Sequence, residues 1–377
     1  MTVRRGGAAR PLRRSAAAPD LSALPVSTEL VGEVGLGEAL RVTGADAFLV
    51  LHEGALVCED YRHPDVEHAL HPLHSVTKSV VGCLAGMVIA EGLLDPDAAA
   101  SGYVPELAGG GYRSATVRDL LDMRTGGDYR ESYDDAAGEL AVLGRICGWW
   151  PDGVPDVPEV PASVRAWLAT IDRTAASGGP FAYRSADTEV LGWVIEAVTG
   201  TPLPELVGRR LLAPIGVEAD GRFEVDPAGC ALASGGLALV PRDVARFGAL
   251  LLDGGAVGDE QVLPEGFVRD TCTGQADSVA AFRHRVEATL GPDAPLPPNG
   301  LYRNQFWVVQ PGRPRLLCLG VHGQLVLVDG ESGVVVVLLS SWPTPQDPQR
   351  FDTGLAVALA AVEALAEPSG RGLSLHG

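Results

Sequence analysis

Lysine is almost absent from this sequence of 377 residues. Its 29 lysines and arginines include a single lysine, Lys78. Most surface positions accept either lysine or arginine, so the preference for arginine at such positions says little about function. A site that needs an amine able to lose its proton excludes arginine, because the guanidinium stays charged at any working pH. Lys78 is therefore a candidate functional residue.

Cysteine pairs and long apolar runs are also lacking. No C-x-x-C occurs among the six scattered cysteines, so the sequence suggests neither a zinc ribbon nor a disulfide framework and is most simply explained by buried free thiols. Neither an uncharged apolar stretch of about 18 residues nor the apolar core of a signal peptide is present. We therefore expect a cytoplasmic globular protein with one or two packed cores and no membrane span.

The charge is strongly negative, at −19, although five arginines precede the first acid, Asp20. We predict that residues 1–20 form a disordered basic tail, beyond which the chain is more acidic still. Such a field repels nucleic acid and anionic membranes. The expected partner is a small neutral or cationic molecule, with no nucleic acid and no membrane, and a homodimer is left open.

Apolar periodicity predicts strands near both ends of the chain. Alternation over 45–62 around a short turn indicates a β-hairpin. Late strands are predicted at 305–310, 316–328 and 334–339, before a helix at 351–366. Between these ends the helical period dominates, at 73–92, 163–172, 188–198 and 241–252.

This order of elements indicates an α/β fold of the α+β type. We expect an antiparallel sheet built from both termini and flanked by helices, with a mainly helical domain inserted into it. The predicted domains are 21–74 with 235–369, and 75–234. Glycine- and proline-rich stretches at 108–111, 151–161 and 291–300 are predicted to be long surface loops, a type of segment that can serve as a lid.

The segment Ser75-Val76-Thr77-Lys78 opens the first long helix. Its spacing places both polar side chains on one helix face. A serine hydroxyl becomes a good nucleophile when a neighbouring base takes its proton, and burial at a helix start lowers the pKa of an amine. The pair therefore predicts acyl transfer. The alternative is a surface helix with a capping serine and a solvated lysine.

Two later segments carry further candidates. Tyr183 and Ser185 precede a helix, and a tyrosine beside a lysine cation is expected to ionise more easily and to relay a proton. The alternative is a tyrosine that caps the core. Gly320-Val321-His322-Gly323 lies in a late strand, where small residues let a substrate carbonyl approach a backbone N–H. The alternative there is a bulge.

The order S-x-x-K, Y-x-S and a late glycine-containing strand resembles class C β-lactamases, penicillin-binding proteins and related esterases. Longer segments are similar to the 6-aminohexanoate-dimer hydrolase family from residue 45 to 367. They are SVTKS (75–79), YVPEL (103–107), LLDM (120–123), DYRESY (128–133), YRSADTEVLGW (183–193), ASGGL (233–237), GVHGQ (320–324) and LSSWP (339–343). The resemblance implies a β-lactamase/transpeptidase-like fold.

The resemblance also implies roles for matching positions. Ser75 corresponds to the nucleophile and Lys78 to its general base. Tyr183 corresponds to the proton donor to the leaving amine or alcohol. The backbone N–H groups of Ser75 and Val321 correspond to the oxyanion hole.

Five further positions correspond to substrate-binding residues of the family. Tyr133 corresponds to a tyrosine of the lid, and Trp307 corresponds to an aromatic residue that lines the acyl pocket. His322 corresponds to a residue that neighbours the site and does not act as a base. Efficient nylon-oligomer hydrolases have aspartate where Gly144 stands and asparagine where Ser234 stands, and both hold a linear cationic substrate. The resemblance thus implies amide and ester hydrolysis, but not the nylon dimer as substrate.

The expected activity is that of a serine hydrolase that cleaves a small amide or ester through a Ser75 acyl-enzyme. An acyltransferase that passes the acyl group to an amine is the alternative, since pocket shape and water exclusion choose the acceptor. No cofactor is predicted. His71 and His74 are three residues apart, but no acid or cysteine completes a zinc set, so no metal is predicted.

Overall fold

The computed structural model describes residues 1–16, 18–149, 161–289 and 299–366. Most of two predicted lid loops, 151–161 and 291–300, therefore lies outside the described residues. The described strands are β1 (Thr2–Val3), β2 (Arg13–Arg14), β3 (Pro25–Thr28), β4 (Gly32–Gly35), β5 (Ala45–His52), β6 (Ala55–Tyr61), β7 (His71–Pro72), β8 (Gly221–Phe223), β9 (Leu237–Leu239), β10 (Ala256–Val257), β11 (Glu260–Gln261), β12 (Leu301–Arg303), β13 (Phe306–Val308), β14 (Arg315–Gly320), β15 (Gln324–Asp329) and β16 (Val334–Ser340).

Helices are the main regular elements described between β7 and β12. The α-helices are α1 (Leu36–Thr43), α2 (Val76–Ala90), α3 (Val117–Leu121), α4 (Glu139–Ile146), α5 (Val164–Leu168), α6 (Ser185–Thr199), α7 (Leu203–Leu206), α8 (Ala213–Ile215), α9 (Pro241–Leu252), α10 (Phe267–Thr273), α11 (Ser278–Thr289) and α12 (Pro348–Leu365). Short 3₁₀ helices cover Pro64–His68, Ala100–Gly102, Pro105–Gly109 and Gly111–Ser114, and Val207–Leu212 is a π-helix. None of the helices in the described ranges is long and apolar enough to cross a membrane.

The main sheet joins the two ends of the chain. Its strand order is β12-β13-β14-β15-β16-β5-β6-β2, and every neighbouring pair is antiparallel except β2 with β6. The early and late parts of the chain meet in the pair β5 and β16, with Val334 opposite His52 and Leu338 opposite Phe48. The predicted α+β architecture, a sheet from both termini with helices inserted, is confirmed. The domain boundaries at 74/75 and 234/235 stay a prediction.

Both faces of the central strands are covered, which explains their continuous apolar sequences. All seven residues of β16 are buried. Alternate residues face opposite sides of a sheet, so Val336 belongs to the buried cluster that contains Val357 of α12, whereas Val337 belongs to the cluster that contains Phe247 of α9. Helix α2 belongs to the second of these two cores, and 13 of its 15 residues are buried. The sheet thus fixes α2 in place.

The first residues are folded, so the predicted disordered tail is wrong. Strand β1 pairs with β8, and Val3 is fully buried. The basic residues find acids elsewhere in the acidic chain, since Arg14 pairs with Glu59 and Arg4 lies 3.9 Å from Asp220. The local excess of arginine that suggested disorder is neutralised by contacts distant in sequence.

Gly82 is where α2 meets the loop between β12 and β13. A Cβ at Gly82 would lie 2.1 Å from the Asn304 carbonyl oxygen. Asn304 and Gln305 have positive φ, 51° and 70°, so this loop has little freedom to move away. We expect Gly82→Ala to lower the free energy of unfolding by about 1–3 kcal/mol, despite the higher helix propensity of alanine.

Urea unfolding measures this effect, and Gly102→Ala is a matched control. No atom lies within 4 Å of a Cβ at Gly102. Its replacement should change the free energy of unfolding by no more than about 0.5 kcal/mol. Equal stabilities for the two variants would contradict the close approach of α2 to the loop.

Candidate active site

Ser75 and Lys78 lie together at the start of α2. His74 has a φ of 46°, and this left-handed residue turns the chain into the helix. The Lys78 Nζ is 2.8 Å from the Ser75 Oγ. Ser75 makes no capping hydrogen bond, and Lys78 is only 1% exposed. The alternative of a capping serine with a solvated lysine is therefore wrong.

The Lys78 amine has two further polar neighbours, both from other elements. Its Nζ donates to the Ser234 carbonyl at 2.7 Å and to the Ser185 Oγ at 3.1 Å. Burial lowers the pKa of Lys78 to about 8, while the charges of Glu131 and Glu189 act in the opposite direction. A substantial fraction of the amine is thus neutral near physiological pH, as a general base requires.

Tyr183 lies against the same pair, just before α6. Its ring centroid is 5.1 Å from the Lys78 Nζ, and its hydroxyl is hydrogen-bonded to Ser75. Trp307 stacks on the Tyr183 ring with centroids 5.2 Å apart. Burial and the Glu131 charge raise the pKa of Tyr183. This direction is opposite to the easier ionisation expected beside a lysine cation, because burial is the largest cause of the shift, and the hydroxyl stays protonated.

Sequence reasoning missed the carboxylate of Glu131. It accepts hydrogen bonds from the Ser185 N–H at 2.8 Å, the Ser185 hydroxyl at 2.7 Å and the Tyr133 hydroxyl at 3.1 Å. Glu131 thereby connects the Tyr133 loop to the start of α6. The available signal was an acid two residues before the predicted lid tyrosine, since alternate residues of an extended segment share a side.

A cavity of about 770 Å³ opens over Ser75. The predicted site residues that line it are Ser75, Tyr133, Ser234, Val321 and His322. Other walls come from Glu131, Leu140, Leu143, Trp149 and Glu224.

Four predicted site residues are not among the described residues that line this cavity: Lys78, Tyr183, Gly144 and Trp307. Gly144 is buried in α4, the helix whose Leu140 and Leu143 face the cavity. Trp307 packs behind Tyr183 and holds its ring.

Strand β14, which was predicted to contribute to the oxyanion hole, ends beside Ser75. A Cβ on Gly320 would lie 2.6 Å from the Leu73 carbonyl oxygen, so only glycine allows β14 to approach this closely. Val321 follows at the cavity wall. His322 is fixed by a 2.7 Å hydrogen bond between its Nδ1 and the Trp342 carbonyl, and its ring centroid is 5.2 Å from that of His74. His322 thus neighbours the site, with one ring nitrogen occupied.

The histidines before Ser75 do not gather metal ligands. His71 lies 3.9 Å from one acid, Asp46. Within 1–16, 18–149, 161–289 and 299–366, no three of histidine, cysteine, aspartate and glutamate are grouped so that they could hold a metal ion.

A protein-family model described as "Beta-lactamase" matches residues 38–361. The chain belongs to the β-lactamase family. It is 36% identical over 310 residues to 6-aminohexanoate-dimer hydrolase from Paenarthrobacter ureafaciens, covering 82% of this chain and 76% of that enzyme. It is also 28% identical over 225 residues to esterase EstB from Burkholderia gladioli, covering 55% and 54% of the two chains.

A solved structure supports the same assignment for this β-lactamase-family protein. It is named as a 6-aminohexanoate-dimer hydrolase of Bacillus anthracis, an assignment that its name marks as provisional. The TM-score is 0.82 at 27% identity, covering 97% of this chain and 90% of the other. The resemblance stated from the motifs, the β-lactamase/transpeptidase-like fold and the assignment as a serine hydrolase are confirmed.

Proposed function

We propose that this protein cleaves a small amide or ester through an acyl-enzyme on Ser75. One observation carries the proposal: the buried Lys78 amine, whose pKa is lowered to about 8, lies 2.8 Å from the Ser75 hydroxyl at the wall of a cavity. A nucleophile within hydrogen-bond reach of a partly neutral base is the arrangement that covalent catalysis requires.

The acylation step uses Ser75, Lys78 and Tyr183 in turn. Neutral Lys78 takes the Ser75 proton as Oγ attacks the substrate carbonyl, which leaves Lys78 as an ammonium. Tyr183, protonated because burial raises its pKa, donates its proton to the leaving amine or alcohol. The ammonium returns a proton to Tyr183, so the proton lost by Ser75 is the one gained by the leaving group.

The negative charge of the tetrahedral intermediate lies between two backbone N–H groups. We assign them to Ser75 and Val321, because the close contact of Gly320 with the Leu73 carbonyl brings the two chain segments together. Fixed donors at this position stabilise the transition state more than the substrate. Water then attacks the acyl-enzyme along the same proton path in reverse, and the acid is released.

The cavity favours a compact substrate. A volume of about 770 Å³ accommodates a molecule of ordinary drug-like size. We propose that Tyr133 closes over the substrate from the loop that Glu131 ties to α6. Gly144 provides no anchor for a cationic tail, which argues for a substrate other than the nylon dimer.

The proposed base predicts the pH dependence of the reaction. Burial depresses the pKa of Lys78, and only the neutral amine accepts the serine proton, so activity is lost as the pH falls through about 8. We expect kcat/KM for p-nitrophenyl acetate to rise about tenfold per unit at low pH and to level off above this pKa. Steady-state rates from pH 5.5 to 9.5, corrected for the Ser75→Ala background, measure it. A flat profile between pH 6 and 8 would exclude Lys78 as the base.

Intact-mass spectrometry tests the acyl-enzyme directly. The protein is exposed to activated esters, β-lactams and ω-amino amides, and peptide mapping then locates any added mass. We expect one acyl group on Ser75 with at least one of these classes. Acylation at another residue, with Ser75 unmodified, would refute the assignment.

Hydrolysis and acyl transfer differ only in what attacks the acyl-enzyme. We propose hydrolysis, in line with the activities named for both curated relatives. Product analysis after turnover with a primary amine present separates the two. Free acid as the main product supports hydrolysis, whereas a dominant amide product supports the acyltransferase alternative.

We further propose a cytoplasmic location and a small-molecule partner. All six cysteines are free of disulfides, as is usual in a reducing compartment. Three of them are buried and three are partly exposed. Sedimentation velocity tests the homodimer that the sequence left open.

A further inference from the structure

Glu189 is a buried carboxylate that the proposed acylation step does not use. It lies one turn into α6 and is 1% exposed. Its two oxygens accept the Ala233 N–H at 3.0 Å and the Ser234 N–H at 2.9 Å, and the Ser234 side chain is hydrogen-bonded to it as well. One acid therefore holds the short segment between β8 and β9 that faces Lys78.

The carbonyl group of Ser234 contacts the Lys78 amine. The Ser234 carbonyl accepts a hydrogen bond from the Lys78 Nζ at 2.7 Å. Ser234 thus connects Glu189 with Lys78. Its N–H donates a hydrogen bond to Glu189, and its carbonyl accepts one from Lys78. A shift of this segment would move the acceptor that orients the amine.

The orientation of the amine decides where its lone pair points. A neutral lysine amine has two hydrogens and one lone pair. The Ser234 carbonyl can only accept, so it takes one hydrogen. The Ser185 hydroxyl donates its own hydrogen to Glu131, so toward Lys78 it also accepts. The lone pair is left for the third neighbour, the Ser75 hydroxyl.

We propose that Glu189 is a positioning residue for the general base: by holding Ser234 it directs the Lys78 lone pair at Ser75. This inference rests on the proposed function. The negative charge of Glu189 also favours the ammonium form that Lys78 adopts after accepting the serine proton.

Other titratable groups around this pair are contributed by several elements. The titratable groups that face Lys78 are Glu131, Tyr183 and His74. The charge of Glu189 contributes to the raised pKa of Tyr129, Cys147 and Cys230. Burial raises the pKa of Glu189 to about 7, so it is ionised over the alkaline range in which Lys78 is neutral.

The test compares Glu189→Gln with Asp187→Asn on the same helix. Asp187 is equally buried, but its carboxylate accepts hydrogen bonds from Tyr112 and Thr125, away from Lys78. For Glu189→Gln we expect kcat for p-nitrophenyl acetate to fall at least about tenfold with little change in KM. Its pH profile should move about half a unit or more toward lower pH, because a charge that raises the pKa of Lys78 is removed.

Asp187→Asn should keep the position of the wild-type profile, whatever it does to stability. Thermal unfolding confirms that each variant is folded. Glu189→Asp serves if the glutamine variant does not fold: it keeps the charge but shortens the reach to Ser234, so we expect an unmoved profile with a lower kcat.

Three outcomes would overturn the proposal. They are a Glu189→Gln profile at the wild-type position, an equal shift in Asp187→Asn, or a wild-type kcat in Glu189→Asp. Acyl-adduct mass on the wild-type protein is measured in parallel. An adduct on Ser75 with any of these outcomes refutes the role of Glu189 alone, whereas the absence of an adduct refutes the proposed function as well.

Discussion

Replacing Ser75 by alanine is expected to lower kcat/KM for p-nitrophenyl acetate at least about 10⁴-fold, since removal of a serine nucleophile leaves only binding and oxyanion stabilisation. The Ser75 hydroxyl is hydrogen-bonded to Lys78 and Tyr183, and both of these residues keep other contacts when it is removed. Stability should therefore change little. Steady-state rates and intact-mass spectrometry with the same ester measure the loss of turnover and of the acyl adduct.

Ser79→Ala is the matched control for that substitution. Ser79 lies one residue after Lys78 on the same helix, but its hydroxyl donates to the Gln305 carbonyl on the side away from the cavity. Its loss should cost stability, about 1 kcal/mol for a buried hydrogen bond, with turnover within a few-fold of wild type. A Ser75→Ala protein that hydrolysed the ester at the wild-type rate would refute the acyl-enzyme.

Replacing Lys78 by arginine or methionine is expected to lower kcat/KM by at least about 10³-fold, because neither side chain can accept the Ser75 proton. Arginine keeps the positive charge and methionine keeps the approximate length, so the pair separates charge and volume from basicity. Single-turnover acylation followed by mass spectrometry shows whether the adduct still forms. Both variants should also lose the rise of rate with pH.

The outcome that would contradict this prediction is specific. If Lys78→Arg acylated at a rate close to wild type, a permanent cation would suffice and another group would have to be the base. The control substitution Arg118→Lys makes the reverse exchange in an ion pair with Asp122, and neither residue is among the described residues that line the cavity. It should leave the rate of acylation unchanged, which would show that the exchange by itself is tolerated.

The sequence predicted the elements whose signals are local. Alternation placed the hairpin of β5 and β6, and the helical period placed α9 at its observed bounds. Lys78 could be found because it is the one residue of its kind, and the spacing from Ser75 is fixed by helix geometry. These features depend on neighbours in the chain and survive without knowledge of tertiary contacts.

What could not be predicted depends on contacts between distant segments. Glu131 and Glu189 look like ordinary polar residues, and their importance comes from Ser185 and Ser234, which the fold brings to Lys78. The sign of the Tyr183 pKa shift was wrong because burial was unknown. The first residues were misjudged because the partner strand β8 is more than 200 residues away.

The single lysine, buried against Ser75, also makes the base directly observable. Protein produced with isotope-labelled lysine would carry one side-chain amine signal in an NMR spectrum, and that signal belongs to Lys78 without any assignment experiment. Its chemical shift reports the protonation state in the intact enzyme at each pH. The same spectrum recorded during turnover would show when the Lys78 ammonium forms. Kinetic measurements give only indirect information on this step.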